Sequence, residues 1–230
     1  MNQRTRLRVV VTLIVAAVVA TFVAAGCGSA AVATPSASAQ ASALPAGNYT
    51  SRAFQPALTF TLPDGWDNPA DSASYFQIRP AGSEVVGIHL FRDPKPASQD
   101  ASCPQTAQPG VGGSSKDLVT WIRALPGLVV SDPVLVTIGG LTGVSLDLRI
   151  EDGWKASCPF ANGLATVPLF VGAKGEYRWV IAGNEQLRLS VLDVPDGAVV
   201  VDVDAFDGGV INDLLAAADP IVNSFSFAKP

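Results

Sequence analysis

The chain has 230 residues, 48% of them hydrophobic, and a formal net charge of -5 at neutral pH. Of its 15 basic residues, three lie within the first eight positions, so the chain beyond them carries 12 basic and 20 acidic residues. This acidic balance argues against nucleic acid as a partner and against direct docking of the domain on anionic lipid. The length fits one folded domain with a tether.

The amino terminus has the order of an export signal. Arg4, Arg6 and Arg8 precede an apolar run that ends at Ala24-Ala25-Gly26-Cys27, the pattern of secretory signals. These residues resemble the lipobox of bacterial lipoproteins, although Ala24 stands where that pattern usually has Leu. The resemblance implies a signal peptide over residues 1–26, and a mature protein that starts at a Cys27 carrying palmitate-type acyl chains. The alternative is an uncleaved helix, because about 17 apolar residues lie at the lower limit for spanning a bilayer.

A tether is predicted after Cys27. Residues 29–47 are mostly Ser, Ala, Thr, Pro and Gln, with no charge and no aromatic side chain, a composition typical of flexible linkers. We therefore divide the chain into the signal peptide, a lipidated cysteine with its disordered tether (27–47), and a single domain (48–230). The expected location is the outer, extracytoplasmic face of the cell membrane, held there by lipid.

Most of the domain is predicted to be strand. Apolar and polar residues alternate in most of its segments, as in half-buried strands. Strands are predicted at 58–62, 75–79, 86–90, 134–138, 144–150, 164–171, 177–182, 186–192 and 198–204. Short turns between consecutive segments, such as Gly139-Gly140, predict antiparallel neighbours.

Two helices are predicted. Helical spacing indicates one that opens at Ser114 or Ser115 and stops at Pro126-Gly127, with an apolar face made of Leu118, Trp121, Ile122 and Leu125. The second follows Asp207 as its cap, and Asp219-Pro220 is predicted to interrupt it. The expected class is α+β, with a single antiparallel sheet and helices packed against it.

A second resemblance concerns this domain. The segment Phe-Thr-Leu-Pro-Asp-Gly-Trp at 60–66, the mid-chain helix, the long meander and a final helix running into 221–227 are similar to the Mog1/PsbP-like fold. The resemblance covers about residues 48–227 and implies an α/β/α sandwich. That fold has varied binding and assembly roles and transfers no catalytic residue, so it does not supply a function.

Two cysteines remain once Cys27 is assigned to lipid. Cys103 and Cys158 each precede a proline and each lie in a predicted loop. In an oxidising compartment we expect them to form a disulfide, whose loop of about 55 residues is worth about 4 kcal/mol in the chain-entropy model. Two free thiols and a metal pair are the alternatives, and the chain has only one histidine to complete a metal site.

No catalytic constellation, metal site or cofactor site is predicted. His89 is the only histidine, and it is expected on a surface or helix-covered strand face, opposite Val86, Ile88 and Leu90. Asp202 and Asp204 are expected on the solvent face of their strand, and their spacing does not match a calcium loop. No G-x-S-x-G elbow is present.

The functional hypotheses follow from these absences and from the anchor. Trp154, in a loop near the predicted disulfide, is the candidate for contacting a ligand or partner, with packing against the domain as the alternative. The first hypothesis is a non-enzymatic envelope lipoprotein that binds an envelope protein or a small ligand. The second is a lipid or glycolipid carrier with an apolar cavity. The third, an enzyme that uses carboxylates, rests only on the abundance of Asp.

Overall fold

The computed structural model describes residues 43–84 and 86–229. The predicted signal peptide, Cys27 and most of the predicted tether lie outside this part of the chain. No helix in the described residues is long and apolar enough to cross a bilayer. The helices are α1 (Ser115–Arg123) and α2 (Ile211–Asn223), and the strands are β1 (Gly47–Thr50), β2 (Leu58–Leu62), β3 (Trp66–Asp71), β4 (Tyr75–Pro80), β5 (Val86–Arg92), β6 (Lys95–Pro96), β7 (Leu128–Val130), β8 (Val134–Ile138), β9 (Leu141–Ile150), β10 (Thr166–Val171), β11 (Arg178–Ala182), β12 (Gln186–Val194), β13 (Gly197–Ala205) and β14 (Ser226–Phe227).

These strands form three antiparallel sheets. The main sheet has the order β3-β4-β5-β13-β12-β9-β7, and β8 pairs with β9 beside β7. Two smaller sheets have the orders β1-β2-β14 and β11-β10-β6. The predicted α+β class is therefore confirmed, whereas the prediction of a single sheet is wrong.

The prediction of a single sheet is wrong because β10 and β11 form a separate layer with β6. Strand β12 pairs directly with β9, from Gln186 opposite Arg149 to Leu192 opposite Gly143. The chain changes layer at the turn after β11, where Gly183 has a φ of 62°. All six residues of β10 are buried. A strand that is buried on both faces must be covered on each side. Packing the β10–β11 hairpin on the main sheet removes the apolar surface of the hairpin and of the sheet from water.

The main sheet has a hydrophobic core on each face. On one face Val199, Val201 and Val203 of β13 pack with α2 and with the sheet of β1, β2 and β14. On the other, Ala198 and Val200 pack with α1 and with the sheet of β6, β10 and β11. The two helices thus lie on opposite faces of the main sheet.

Helix α1 forms where the apolar spacing predicts it. Ser114 is its cap and accepts a hydrogen bond from the backbone of Asp117, which satisfies one of the free N–H groups of the first turn. Leu118 and Ile122 are fully buried. Trp121, also on the predicted apolar face, is half-buried against the same core.

Helix α2 runs through Pro220, so the predicted interruption at Asp219-Pro220 is wrong. A proline inside a helix loses one backbone hydrogen bond. Here the next residue, Ile221, is fully buried with Ala218, and this burial offsets the loss. Asp207 caps a short 3₁₀ turn ahead of α2, where its Oδ1 accepts from the backbone N of Gly209 at 3.1 Å.

The edge of the main sheet at β3 is covered by other segments of the chain. Edge strand β3 contains Pro69, and Leu44 forms a bridge with its first residue, Trp66. At its other end the Asp71 carboxylate accepts the backbone N–H groups of residues 52, 53 and 54 at 2.6, 3.1 and 3.0 Å. These contacts cover the β3 edge and hold Phe54, which is fully buried, in the core.

We expect Asp71→Ala to lower the free energy of unfolding by about 2 kcal/mol, because it removes a charged acceptor from three backbone donors. Urea denaturation measures this change. The matched control is Asp152→Ala, whose carboxylate is 97% exposed. Equal stability losses in the two variants would contradict the role given to Asp71.

Candidate functional site

Six polar side chains meet beneath the hairpin of β10 and β11, and we call them the buried polar cluster. Its members come from β4, β5, β11, β13 and the turn after β11: Tyr75, His89, Trp179, Glu185, Asp202 and Asp204. Pairing of β13 with β5 sets Asp202 opposite His89. Strand register therefore brings together residues that are far apart in the sequence.

His89 bridges two members of the cluster. The Tyr75 hydroxyl lies 2.8 Å from His89 Nδ1, and His89 Nε2 lies 3.0 Å from Asp204 Oδ1. The contact with Asp204 is a close approach without hydrogen-bond geometry, since Asp204 Oδ1 has no hydrogen-bond partner among the described residues. The imidazole is thus hydrogen-bonded to Tyr75 on one side and packed against a carboxyl oxygen on the other.

Trp179 connects the sheet of β6, β10 and β11, which we call the covering sheet, to the same cluster. Its indole Nε1 donates to Asp202 Oδ2 at 2.7 Å, and its ring centroid is 4.4 Å from that of His89. The other oxygen of Asp202, Oδ1, has no hydrogen-bond partner among the described residues. The covering sheet is thus hydrogen-bonded to the main sheet at a fully buried carboxyl.

Two exposures predicted from the sequence are wrong: Asp202 and Asp204, expected on the solvent face of their strand, are 0% and 7% exposed. His89, expected on a surface or helix-covered face, is 5% exposed and is covered by a sheet. The pattern indicated correctly which residues share a face. It did not indicate that a second sheet covers the polar one.

The cluster brings three buried carboxyl groups together, those of Glu185, Asp202 and Asp204. Burial raises the pKa of Asp202 well above its ordinary value, and the charges of Asp204 and Glu185 add to this. Burial, followed by the charge of Asp204, raises the pKa of Glu185 to about 8. Burial also raises the pKa of the Tyr75 hydroxyl. With a pKa of about 8, Glu185 keeps its proton at neutral pH.

This arrangement is a hydrogen-bonded contact between two layers. The hydroxyl within reach of His89 is that of Tyr75, and the rings of Phe91, Tyr177 and Trp179 pack around the pair. Among the described residues, no three His, Cys, Asp or Glu side chains are placed to hold a metal ion.

Trp154 packs against the domain and also borders a cleft. Its Nε1 donates to the carbonyl of Thr166 at 3.0 Å, and its ring covers Gly127, where a Cβ would lie 2.4 Å from the indole. It lines a cleft of about 480 Å³ together with Arg149 and Asn184. A ligand-binding role for Trp154 stays a prediction.

Cys103 and Cys158 form a disulfide with their Cα atoms 5.5 Å apart. The bond joins the loop after β6 to the loop before β10. Near it, the Arg178 guanidinium donates to the Cys103 carbonyl at 3.1 Å. The disulfide therefore joins two loops that flank strands of the covering sheet and fixes them to each other.

The most exposed apolar residues of the main sheet lie on β8, and we call Val134–Ile138 the β8 edge. Leu135 is 86% exposed and Val134 is 62% exposed. A cleft of about 620 Å³ opens between β8 and α1 and includes Val119, Val144 and Val191. A second, of about 430 Å³, opens between β8 and α2 and includes Leu215 and Val222. An apolar strand thus lies between two open clefts, one on each face of the sheet.

Comparisons with known proteins assign no family. No protein-family model matches the chain, and no curated protein matches it. Similar solved structures include a Bacteroides thetaiotaomicron protein, with 11% identity over 75% of this chain and a TM-score of 0.36; the chain spans 45% of that protein's length.

Two further solved structures cover more of their own chains. The cyanobacterial PsbP of Synechocystis, CyanoP, is 12% identical over 89% of this chain and 98% of its own, with a TM-score of 0.40. LpqN of Mycobacterium tuberculosis, described as involved in cell envelope biogenesis, is 17% identical over 81% of this chain and 86% of its own, with a TM-score of 0.37. At these values the PsbP-like assignment stays a prediction.

We expect the stability of the protein to fall as pH rises from 5 to 8, and to fall less in Glu185→Gln. Folded Glu185 keeps its proton up to about pH 8, whereas an unfolded glutamate loses it near its ordinary pKa of 4.5. The folded state therefore binds more protons in this range, and stability decreases as pH increases. The amide of Gln imitates the protonated carboxyl and does not titrate.

Thermal unfolding of each variant across this pH range tests the prediction. The control is Glu151→Gln, an exposed glutamate, which should follow the wild-type curve. Parallel curves for wild type and Glu185→Gln would show that Glu185 does not hold its proton in the folded state.

Proposed function

We propose that this chain is a lipid-anchored, extracytoplasmic interaction module, not an enzyme, and that it binds a partner protein of the cell envelope through the β8 edge. The observation that carries the proposal is the exposure of Leu135 and Val134 in a sheet that is otherwise covered on both faces. Large exposed apolar residues on a strand at the rim of a sheet are typical of association surfaces.

The sequence of the β8 edge supports this function. Val-Leu-Val-Thr-Ile contains no charge and no proline, the residues that usually prevent an edge from pairing with another chain. The flanking clefts add apolar side chains from α1, α2 and β9 beside it. A partner that covers β8 therefore also gains contacts on both faces of the sheet.

The ionisable residues favour binding over catalysis. Asp202 is fully buried, and Glu185 and His89 are nearly so. Their hydrogen bonds join Asp202 to Trp179, His89 to Tyr75 and Glu185 to the backbone N–H of Ala182. Groups held in this way stabilise the contact between two sheets.

A lipid or glycolipid carrier is the second candidate, because the clefts beside β8 are partly apolar. Both faces of the main sheet are, however, filled by packed side chains. Open clefts flanking an exposed strand favour a protein partner over an enclosed acyl chain.

The anchor places this surface near other envelope proteins. The export signal and Cys27 lie outside the described residues and rest on the lipobox resemblance. Two acyl chains make membrane attachment stable. Because Leu44 already pairs with Trp66, the predicted tether has about 15 residues, which as a flexible coil have a mean reach of about 20 Å. The domain is then free to orient β8 toward a neighbour.

We expect Cys27→Ser to lose labelling by radioactive palmitate and to move from the membrane fraction to the soluble fraction, because the variant has no thiol to acylate. The control is the double variant Cys103→Ser/Cys158→Ser, which should keep the label. Membrane retention of unlabelled Cys27→Ser would favour the uncleaved helix instead.

We expect a photo-reactive benzoylphenylalanine in place of Leu135 to form covalent adducts of discrete mass with another envelope protein in living cells. The same group in place of Ala216, an exposed residue of α2, is the control and should give few adducts. Because Leu135 is 86% exposed, the replacement should preserve the fold. Equal adducts at both positions, or adducts with lipid alone, would contradict the proposed function.

A further inference from the structure

We infer that the partner contributes an extended segment that pairs with β8 as an added strand of the main sheet. This inference rests on the proposed function and gives it a mode of recognition. Strand addition combines main-chain hydrogen bonds with side-chain contacts at alternate positions. Both components can be read from the β8 edge.

The backbone of β8 has groups that point away from β9. Gly139 and Gly140 form a two-residue turn with positive φ at both positions, and Ile138 pairs with Leu141. The residues that flank such a turn exchange both hydrogen bonds, and every second residue does so along the ladder. Val134, Val136 and Ile138 therefore bond to β9.

Leu135 and Thr137 consequently direct their N–H and C=O groups outward. In the described part of the chain, β8 pairs with no strand on that side. Two donors and two acceptors are thus arranged in the spacing of a strand ladder, with β9 holding the other side. An unpaired edge of this kind is a template for another chain.

The side chains of β8 define what the added strand must carry. Leu135 lines the cleft beside α1, Val134 lines the cleft beside α2, and Val136 packs against the core on the α2 face. A new strand lies about 4.8 Å beyond β8, with its side chains alternating between the same two faces. Directly opposite residues contact each other, so apolar or β-branched residues are favoured there.

Charge favours a segment with basic flanks. The chain beyond the predicted signal peptide carries 12 basic and 20 acidic residues, so a positively charged segment is attracted to it at long range. Just ahead of β8, the side chain of Asp132 is fully exposed and lies 3.6 Å from the Arg123 guanidinium. The β8 edge itself is uncharged. The occupant we infer is an uncharged, extended stretch with Lys or Arg beside it.

The opposite edge of the main sheet offers no such site. In β3, Pro69 lacks a backbone donor, and the segment held by Asp71 covers that end of the sheet. One edge is therefore closed by the chain's own residues while the other is left open. This difference places the added strand at β8.

Selection of random peptides of about ten residues on the full chain, purified in detergent, tests the inference. We expect selected peptides to have apolar residues at alternate positions and to carry basic flanks. On binding, amide hydrogen exchange at Leu135 and Thr137 should slow by at least about tenfold, because these donors become bonded. The amide of Val136, already bonded to β9, is the internal control.

A pair of variants separates backbone from side-chain recognition. Thr137→Pro removes an outward N–H without removing a bond to β9, and it should weaken peptide binding by about 3- to 10-fold. Thr137→Val keeps that N–H and should bind within about twofold of wild type. Thermal unfolding of both variants establishes that they remain folded.

Four results would overturn the inference. Binding without slower exchange at Leu135 and Thr137, or equal binding by Thr137→Pro and Thr137→Val, would show that side chains alone are recognised. In that case adducts at position 135 in cells would still support an interaction module. If exchange at Leu135 and Thr137 is already slow without peptide and becomes fast on dilution, the edge is occupied by a second copy of this chain. Failure to select any peptide would also overturn strand addition.

Discussion

Strand β13 is covered on both faces, and this double burial determines the arrangement around it. Val199, Val201 and Val203 fill the core beneath α2, so the residues between them point into the opposite core. Two of those residues are Asp202 and Asp204. Burying them without partners would be strongly unfavourable, and β5, β11 and the turn after β11 supply His89, Trp179 and Glu185. When the covering sheet packs on the main sheet, it therefore also supplies a hydrogen-bond donor to Asp202.

Local sequence patterns predicted the positions of strands and helices better than they predicted which strands share a sheet. The spacing of Leu118 and Ile122 predicted α1, and alternation predicted β8 and β9 as a hairpin, because these signals depend on neighbouring residues. Membership of β10 and β11 in a separate sheet depends on which surfaces bury each other, and no local pattern encodes it. The short strands β1, β6, β7 and β14 contain too few residues to show a period.

The two regions of functional interest were hidden for opposite reasons. His89 and Asp202 look like surface residues because alternation assumes a solvated face, and the uninterrupted apolar run 198–201 was the available sign that both faces are covered. The β8 edge looks like any other half-buried strand, because exposure of Leu135 depends on where the sheet ends. Trp154 stood out as an isolated aromatic residue, although much of its ring packs on Gly127.

The disulfide has a consequence for how firmly the covering sheet is held together. Cys103 and Cys158 covalently link the loop after β6 to the loop before β10. Where thiols stay reduced, these two loops would be held to each other by packing and hydrogen bonds alone. A newly made chain would then be easier to open at this point before oxidation than after it. Oxidation thus fastens the two loops of the sheet that covers the buried carboxyl groups.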